Sequence, residues 1–309
     1  MGEKMAAFFH NRYVKICIVL LFGYIAYSGF YLWKTRNDGF TIEKITTTFP
    51  NKPEWKIATT STKVQEVNKI TKQPFIYLGH GFQFYAFESD DGKYVLKFLR
   101  HQRLKPSVFY DWLPNLPLIS MLKERKNESR SERVRFLFES LKLAYEDVPE
   151  ETGLICVHLN KTKNLFGNVQ IIDMMEDAHL VALDSTEFVL QHKATLVKPT
   201  IWNLMQAGQL KEAKERIDQI FALLSSCAKK GILDTDRALI RKNNIGFLAN
   251  RAIYIDAGKL IRRDTIKTKE RFAYDLKRLQ PLYRWLIRHF PPLAVHFEKE
   301  QKKALASFE

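Results

Sequence analysis

Residues 75–100 read FIYLGHGFQFYAFESDDGKYVLKFLR, two runs rich in aromatic and β-branched side chains joined by Ser89-Asp90-Asp91-Gly92. Asp-Gly between such runs is a hairpin signal, because both turn positions need backbone conformations that aspartate and glycine tolerate. The stretch opens with Leu78-Gly79-His80-Gly81, and its second strand carries Lys97 within Tyr94-Val95-Leu96-Lys97-Phe98. Glycines at a strand turn let the backbone approach phosphate groups with no Cβ in the way, and a lysine on the neighbouring strand supplies a cation. A G-x-G turn and a lysine are, taken alone, ordinary features of a solvated hairpin.

Upstream, residues 16–33 read ICIVLLFGYIAYSGFYLW, a run without a charge, flanked by Arg12 and Lys15 on one side and Lys34 and Arg36 on the other. That length just spans a hydrocarbon layer. Tyr27, Phe30, Tyr31 and Trp33 gather toward one end, where interfacial anchoring favours them. A cleaved signal peptide is the competing reading; against it, the run is long for such a segment and bulky aromatics stand where cleavage needs small residues. The expectation is a basic tail over residues 1–15 and one transmembrane helix over 16–33. Basic residues flank both ends almost equally, so charge does not orient the helix. Residues 34–72, polar, rich in Thr and Lys and punctuated by Pro50 and Pro53, read as a stalk and linker.

Downstream, residues 101–126 read as a basic, proline-containing insertion. Val134, Leu137, Leu141 and Ala144 then recur at helical spacing over 131–147, with Ser131 as its N-cap. Two short apolar strands follow, 154–159 and 169–175. A helical segment is expected around 185–207, and a stronger one over 209–230 with Leu210, Ala213, Ile217, Ile220, Leu224 and Cys227 on one stripe. A small hairpin within 232–260 and two helices, about 268–289 and 293–307, complete the pattern. Strands preceding helices in this order predict an α+β fold, with a sheet lobe over 73–177 and a helical lobe over 178–309.

The chain has 309 residues and a formal charge of +15, which implies attraction to polyanions: phosphate-bearing ligands, an anionic lipid surface or nucleic acid. Basic pairs such as Arg241-Lys242 and Arg262-Arg263 come with no nucleic-acid fold signature, so a solvated face or lipid headgroups fit them better. Cys17, Cys156 and Cys227 show no paired spacing, which argues against a disulfide framework or a zinc site. No Gly-x-Ser-x-Gly or Cys/His arrangement points to a hydrolase.

The second informative stretch is GILDTDRALIRKNNIGFLANRAIYIDAGKL, residues 231–260. Asp236 follows the long helix, Asn244 begins one short strand, and Asp256 ends the next before Ala257-Gly258. An amide and a carboxylate at the two ends of one hairpin can share a hard cation, and the preceding carboxylate can orient a hydroxyl. Each is, singly, a common turn or capping residue.

In this order the two stretches resemble the protein-kinase-like superfamily, which includes aminoglycoside and lipopolysaccharide-core kinases. The resemblance covers roughly residues 75–259 and implies a bilobal kinase-like fold, use of ATP and Mg²⁺, and phosphotransfer to an unknown acceptor, a lipid-linked or small-molecule hydroxyl. It implies that Gly79, Gly81 and Lys97 meet the phosphates, that Ala86 caps the base, and that Met174 lies in the hinge at about 173–176. Asp236 is then the catalytic aspartate, and Asn244 (or Asn243) and Asp256 bind metal. Glu139 pairs with Lys97, with Glu132 and Glu146 as alternatives.

The departures are specific. Asp234 replaces the catalytic-loop histidine, eight positions separate Asp236 from Asn244 where the family has five, and Phe84 replaces the third glycine. Only 51 residues follow Gly258, too few for the usual peptide-docking helices. The second reading is therefore a pseudokinase, a membrane-bound binding or scaffold protein with a protein partner. Under either reading the nucleotide is the expected ligand, and an ATP-using domain faces the cytoplasm. Asp275, on a helix flanked by Leu279, Leu282 and Trp285, is read as a brace beneath the catalytic loop or as an exposed cap or salt-bridge partner.

Overall fold

The computed structural model describes residues 12–36, 38–47, 49–104, 117–236, 239–240 and 243–308. The stretch from residue 75 makes three strands, β1 (Phe75–His80), β2 (Phe84–Ser89) and β3 (Tyr94–Leu99), because the first apolar run is itself broken by a turn at residues 81–83. Four more strands join them: β4 (Leu154–His158), β5 (Asn168–Ile172), β6 (Ala178–Ala182) and β7 (Phe188–His192). Together they form a seven-stranded sheet of order β4-β7-β3-β2-β1-β5-β6. Only the β1–β5 pair is parallel; the remaining neighbours run antiparallel.

Alternation along β3 sets the two faces of this sheet. Leu96 and Phe98 point into an apolar cluster with Phe75, Tyr85, Phe87 and Val169, while Lys97 points to the opposite face. The remaining strands are short: β8 (Thr195–Leu196), β9 (Ile232–Asp234), β10 (Ile245–Phe247), β11 (Ala252–Tyr254) and β12 (Leu260–Arg262). They pair as β11-β10-β8 and β12-β9, so the hairpin expected within 232–260 is present and is braced at both ends.

The longer helices are α1 (Arg12–Arg36), α2 (Ser61–Ile70), α3 (Pro117–Asp147), α4 (Val197–Gln206), α5 (Leu210–Lys229), α6 (Lys269–Leu276), α7 (Gln280–His289) and α8 (Pro291–Ala306). The predicted stripe of α5 is its buried face: Ala213, Ile217, Ile220, Leu224 and Cys227 all lie in the larger core cluster, with Leu210 packed at its edge. By length and composition α1 can cross a membrane; its window Lys15–Leu32 has a mean hydropathy of 1.6, and its apolar side chains stand largely exposed.

Four expectations change. Residues 38–72 are not a free stalk. Phe40, Ile45, Val67 and Ile70 are buried in the sheet cluster, Trp55 packs edge-on to Phe138 at 4.7 Å between ring centroids, and Thr46 bridges to Thr186. Their irregular spacing hides a core contribution beneath a polar average composition. The sheet does not end at 177 either. Residues 185–207 contain β7 before α4 begins, and β7 lies between β3 and β4; its Phe188–Gln191 are all buried, so no alternation marks them as strand.

Helix α3 starts at Pro117, inside the expected insertion, and Ser131 Oγ donates to the Glu128 carbonyl within the helix instead of capping its start. Finally, Met174 lies in the β5–β6 turn, on the far side of β1 from β3. The basic tail up to residue 11, residues 105–116 and the Arg241-Lys242 pair lie outside the described residues.

The burial of the 38–72 segment has a measurable consequence. Phe40, 1% exposed, meets Tyr85 and Phe87 edge-on at 5.2 and 5.4 Å. Phe40→Ala is expected to lower the unfolding free energy by about 3–5 kcal/mol, as for other buried aromatics. Urea denaturation of the full chain in detergent micelles measures this; a loss below about 1 kcal/mol would restore the stalk reading.

Candidate nucleotide site

A cavity of about 880 Å³ opens between the sheet, α3 and the β10–β11 hairpin. Gly81, Ala86, Lys97, Asp236, Asn244 and Asp256, six residues singled out from sequence, all line it. They come from five places in the chain, and packing alone brings them together.

The upper wall is the β1–β2 turn. Gly79 has φ +147°, a region that side-chain-bearing residues rarely adopt, and the pairing register shifts there between Tyr77 and Gly79. Gly81 donates its N–H to the Phe84 carbonyl at 2.9 Å and accepts from Arg100 Nη1 at 2.5 Å. The Arg100 backbone N–H donates to Gln83 O at 2.8 Å, and its guanidinium lies 4.6 Å from the centre of the Tyr85 ring. Arg100 thus holds the turn from three directions. Gly79 shapes the turn but does not line the cavity.

Lys97 reaches across the cavity floor. Its ammonium donates to Gln191 Oε1 at 2.7 Å and to the Ile255 carbonyl at 2.6 Å. Burial brings its pKa down to about 8, against the opposing attraction of the Asp256 carboxylate. Gln191 is itself anchored, its amide donating to Thr152 O at 2.5 Å and Tyr254 O at 2.9 Å.

The expected carboxylate partner is absent from this contact. Glu139 is exposed and pairs with Arg135 at 3.9 Å, and Glu132 and Glu146 are exposed as well. The face of α3 toward the cavity carries Arg133 and Phe136. Helical periodicity located the helix in sequence, but which of its faces meets Lys97 depends on where Val134, Leu137 and Leu141 pack.

The lower wall is polar. Asp236 Oδ2 accepts from Asn244 Nδ2 at 3.1 Å and from Lys259 Nζ at 2.7 Å, an ion pair that raises the lysine's pKa despite partial burial. Asp256 Oδ1 accepts the Gly258 N–H at 3.1 Å. A Cβ on Gly258 would stand 2.7 Å from Gln83 Oε1 and 2.9 Å from Leu137 Cδ1, so the turn, α3 and the hairpin approach closely here and a larger residue would displace the ends of those two side chains. Ser140 fixes that approach: its Oγ donates to Ala257 O at 2.7 Å and accepts the Leu260 N–H at 2.6 Å.

Beneath Asp236, Arg278 donates to the Asp234 carbonyl and pairs with buried Asp275 at 3.2 Å. Asp275 is thus a buried salt-bridge partner and not an exposed cap. Met174 is 48% exposed in its distant turn and does not line the cavity. The strand that borders β3 is β7, and Gln191 from it makes the contact.

Sequence reading missed Lys259, Gln191, Arg100, Arg133 and Ser140. Lys259 stood next to the Asp-Ala-Gly triplet, a cation beside candidate metal ligands, and was legible there. Gln191 was hidden inside a stretch read as helix.

A second cluster, Asp218, His296 and Glu300, brings its ligand atoms within 4.8 Å of one another between α5 and α8. Those atoms are already engaged: His296 bonds Asp218 at 2.6 Å, and Lys303 pairs with Glu300 at 3.1 Å.

No protein-family model matches this chain. No curated protein matches it by sequence. Among solved structures, a similar chain is the medium-resolution structure of the bifunctional kinase-methyltransferase WbdD, at 16% identity and a TM-score of 0.32. The match covers 71% of this chain and 43% of that one, so the present chain spans less than half of that protein's length.

Asp234 makes the site's foundation sensitive to pH. Its Oδ1 accepts the Asp236 N–H at 2.7 Å, its buried Oδ2 has no hydrogen-bond partner among the described residues, and burial pushes its carboxyl up to about 7 despite Arg278. The folded state therefore holds this proton more tightly than the unfolded chain, whose carboxyl titrates near about 4. The resulting stability is fully present below about pH 4 and is lost as pH rises to about 7, at no more than ~1.4 kcal/mol per pH unit. Asp234→Asn is expected to gain stability relative to the parent between pH 5 and pH 8 in urea titrations. A pH-independent difference would mean that the parent carboxyl does not hold its proton.

Proposed function

We propose that this chain is a membrane-anchored, ATP- and Mg²⁺-dependent phosphotransferase of protein-kinase-like design, whose acceptor is a lipid-linked or small-molecule hydroxyl. The observation that carries the reading is the convergence of Lys97, Asp236, Asn244 and Asp256 on one cavity beneath a glycine turn. Phosphotransfer by this class is positioning and electrostatics: a glycine turn over the phosphates, a β3 lysine on them, and an Asp/Asn pair for the metal. Lys97 on β3, with the Gly79–Gly81 turn above it, supports the phosphate role.

The donor set suits Mg²⁺, which takes oxygen ligands. Asp256 offers a carboxylate. The amide nitrogen of Asn244 is engaged by Asp236, which leaves its carbonyl oxygen for a cation. Magnesium supplies charge neutralisation of the phosphates when bound. Asp236 orients the acceptor hydroxyl and takes its proton, with Lys259 paired to that carboxylate at 2.7 Å. Ala86, small and on the cavity face of β2, leaves room for the base. Helix α1 anchors the domain, on the cytoplasmic side where ATP is found, with anionic headgroups facing the basic surface.

One observation favours the second reading, a nucleotide-binding pseudokinase that acts as a membrane-bound scaffold for a protein partner. The active members of this superfamily pair the β3 lysine with a helix glutamate, whereas Lys97 is held by a neutral amide and a carbonyl.

Calorimetric titration of the micelle-held chain with ATP, with and without Mg²⁺, tests both. Lys97→Ala is expected to weaken ATP binding at least about tenfold, and Asp256→Ala to abolish the gain from Mg²⁺. Because only the protonated Lys97 ammonium attracts phosphate, affinity should fall as pH rises through about 8, and Lys97→Arg should remove that fall. Asp236→Ala should leave binding within about twofold and cut phosphotransfer by about 10²–10⁴. Tight binding with no turnover selects the scaffold reading; no ATP binding rejects both.

A further inference from the structure

Immediately after α1 the backbone makes a turn with two successive left-handed residues, Asp38 (φ +46°) and Gly39 (φ +66°). Asp38 lies two positions beyond Arg36, so chain geometry limits their Cα separation to about 8 Å. A non-glycine residue in that conformation is uncommon, and the contacts of Asp38 account for it. Its Oδ2 accepts the Tyr77 hydroxyl of β1 at 2.9 Å, and its Oδ1 lies 3.7 Å from His80 Nε2. The next carbonyl, Gly39 O, accepts the Tyr85 hydroxyl of β2 at 3.0 Å and also the Lys44 ammonium. Phe40 then plugs into the sheet core between Tyr85 and Phe87.

The same residues hold the phosphate turn from its other side. His80 Nδ1 lies 2.7 Å from Arg100 Nη1, the nitrogen that also bonds Gly81 O, and the Arg100 guanidinium stacks over the Tyr85 ring. Two routes of contact lead from the turn at residues 38–39 to the Gly81 carbonyl: the hydrogen-bonded step from Gly39 to Tyr85 and on to the stacked Arg100, and the 3.7 Å approach of Asp38 to His80, which neighbours Arg100. Burial, helped by the Asp38 carboxylate, pushes the Tyr77 phenol well up, which keeps it a hydrogen-bond donor.

We propose that Asp38 and Gly39 are positioning residues for the glycine turn, so that the affinity of the cavity for nucleotide phosphates is set by the segment that leaves the membrane-length helix. The proposal rests on the reading of the cavity as a nucleoside triphosphate site. None of these residues lines the cavity, so the effect passes through the conformation of residues 79–83 and is specific to the phosphate end of the ligand.

The test measures dissociation constants for MgATP and for adenosine on the full chain in micelles, comparing the parent with Asp38→Asn, Asp38→Glu and Tyr77→Phe. Removing the Asp38 charge (Asp38→Asn) or the hydroxyl that bonds its carboxylate (Tyr77→Phe) is expected to weaken MgATP about threefold to tenfold. Adenosine, which has no phosphates, should bind unchanged, and Asp38→Glu should recover part of the loss. Tyr77→Phe removes only a hydroxyl, so it keeps the test open if Asp38→Asn fails to fold.

Equal weakening of MgATP and adenosine would show a general loss of structure and overturn the proposal. So would unchanged MgATP affinity in both Asp38→Asn and Tyr77→Phe, with the nucleotide reading intact. A parent chain that binds no MgATP would sink that reading, and the proposal with it.

Discussion

One ammonium ties the molecule together. Lys97 lies on the third strand of the sheet, yet one of its hydrogen bonds ends on the carbonyl of Ile255, 158 positions later, beside the Asp256 carboxylate. A charged group on that face loses most of its hydration, and it stays there because Gln191 and Ile255 replace water as acceptors and Asp256 offsets the charge. The sheet and the β10–β11 hairpin are thereby locked at the distance that leaves a cavity between them. Ser140 on α3 fixes the residues that follow the hairpin by bonding on two sides, and Gly258 lies between its two partners.

The same arrangement leaves a chain of charges on one wall. Lys259, Asp236 and Asn244 form a connected group over Asp234, and Arg278 and Asp275 support it from the helical side. The Asp236 carboxylate is fixed in orientation by a cation and an amide. What distinguishes this site from an ordinary surface ion cluster is its enclosure: Asp236 and Asn244 are each about 5% exposed. Coulombic interactions there are screened less than at the surface, so small changes in the ligand's charge matter.

The sheet core has a further dependence on the segment beyond α1. Phe40, Ile45, Val67 and Ile70 fill one face of the seven strands, so the polar-looking stretch between the apolar helix and the hairpin is part of the fold. From Asp38 onward, the residues beyond the N-terminal helix are packed and hydrogen-bonded against the sheet.

The amino-acid sequence by itself determined the local elements: the hairpin turn at 89–92, the apolar helix, the stripe of α5, and the two glycine-bearing turns with their lysine, amide and carboxylates. Those signals are short-range, set by β-branched and aromatic runs, by helical period and by turn chemistry. It did not determine which carboxylate or amide faces Lys97, because helix rotation depends on side chains from other elements; Glu139 turned outward and Gln191 took its place. Nor did it reveal the role of β7, buried throughout and so without alternation, or of Phe40 and Trp55, isolated apolar residues in a polar stretch. Only the tertiary structure decided these, since a strand's neighbours and a side chain's partner are chosen by long-range packing, which leaves no period in the sequence.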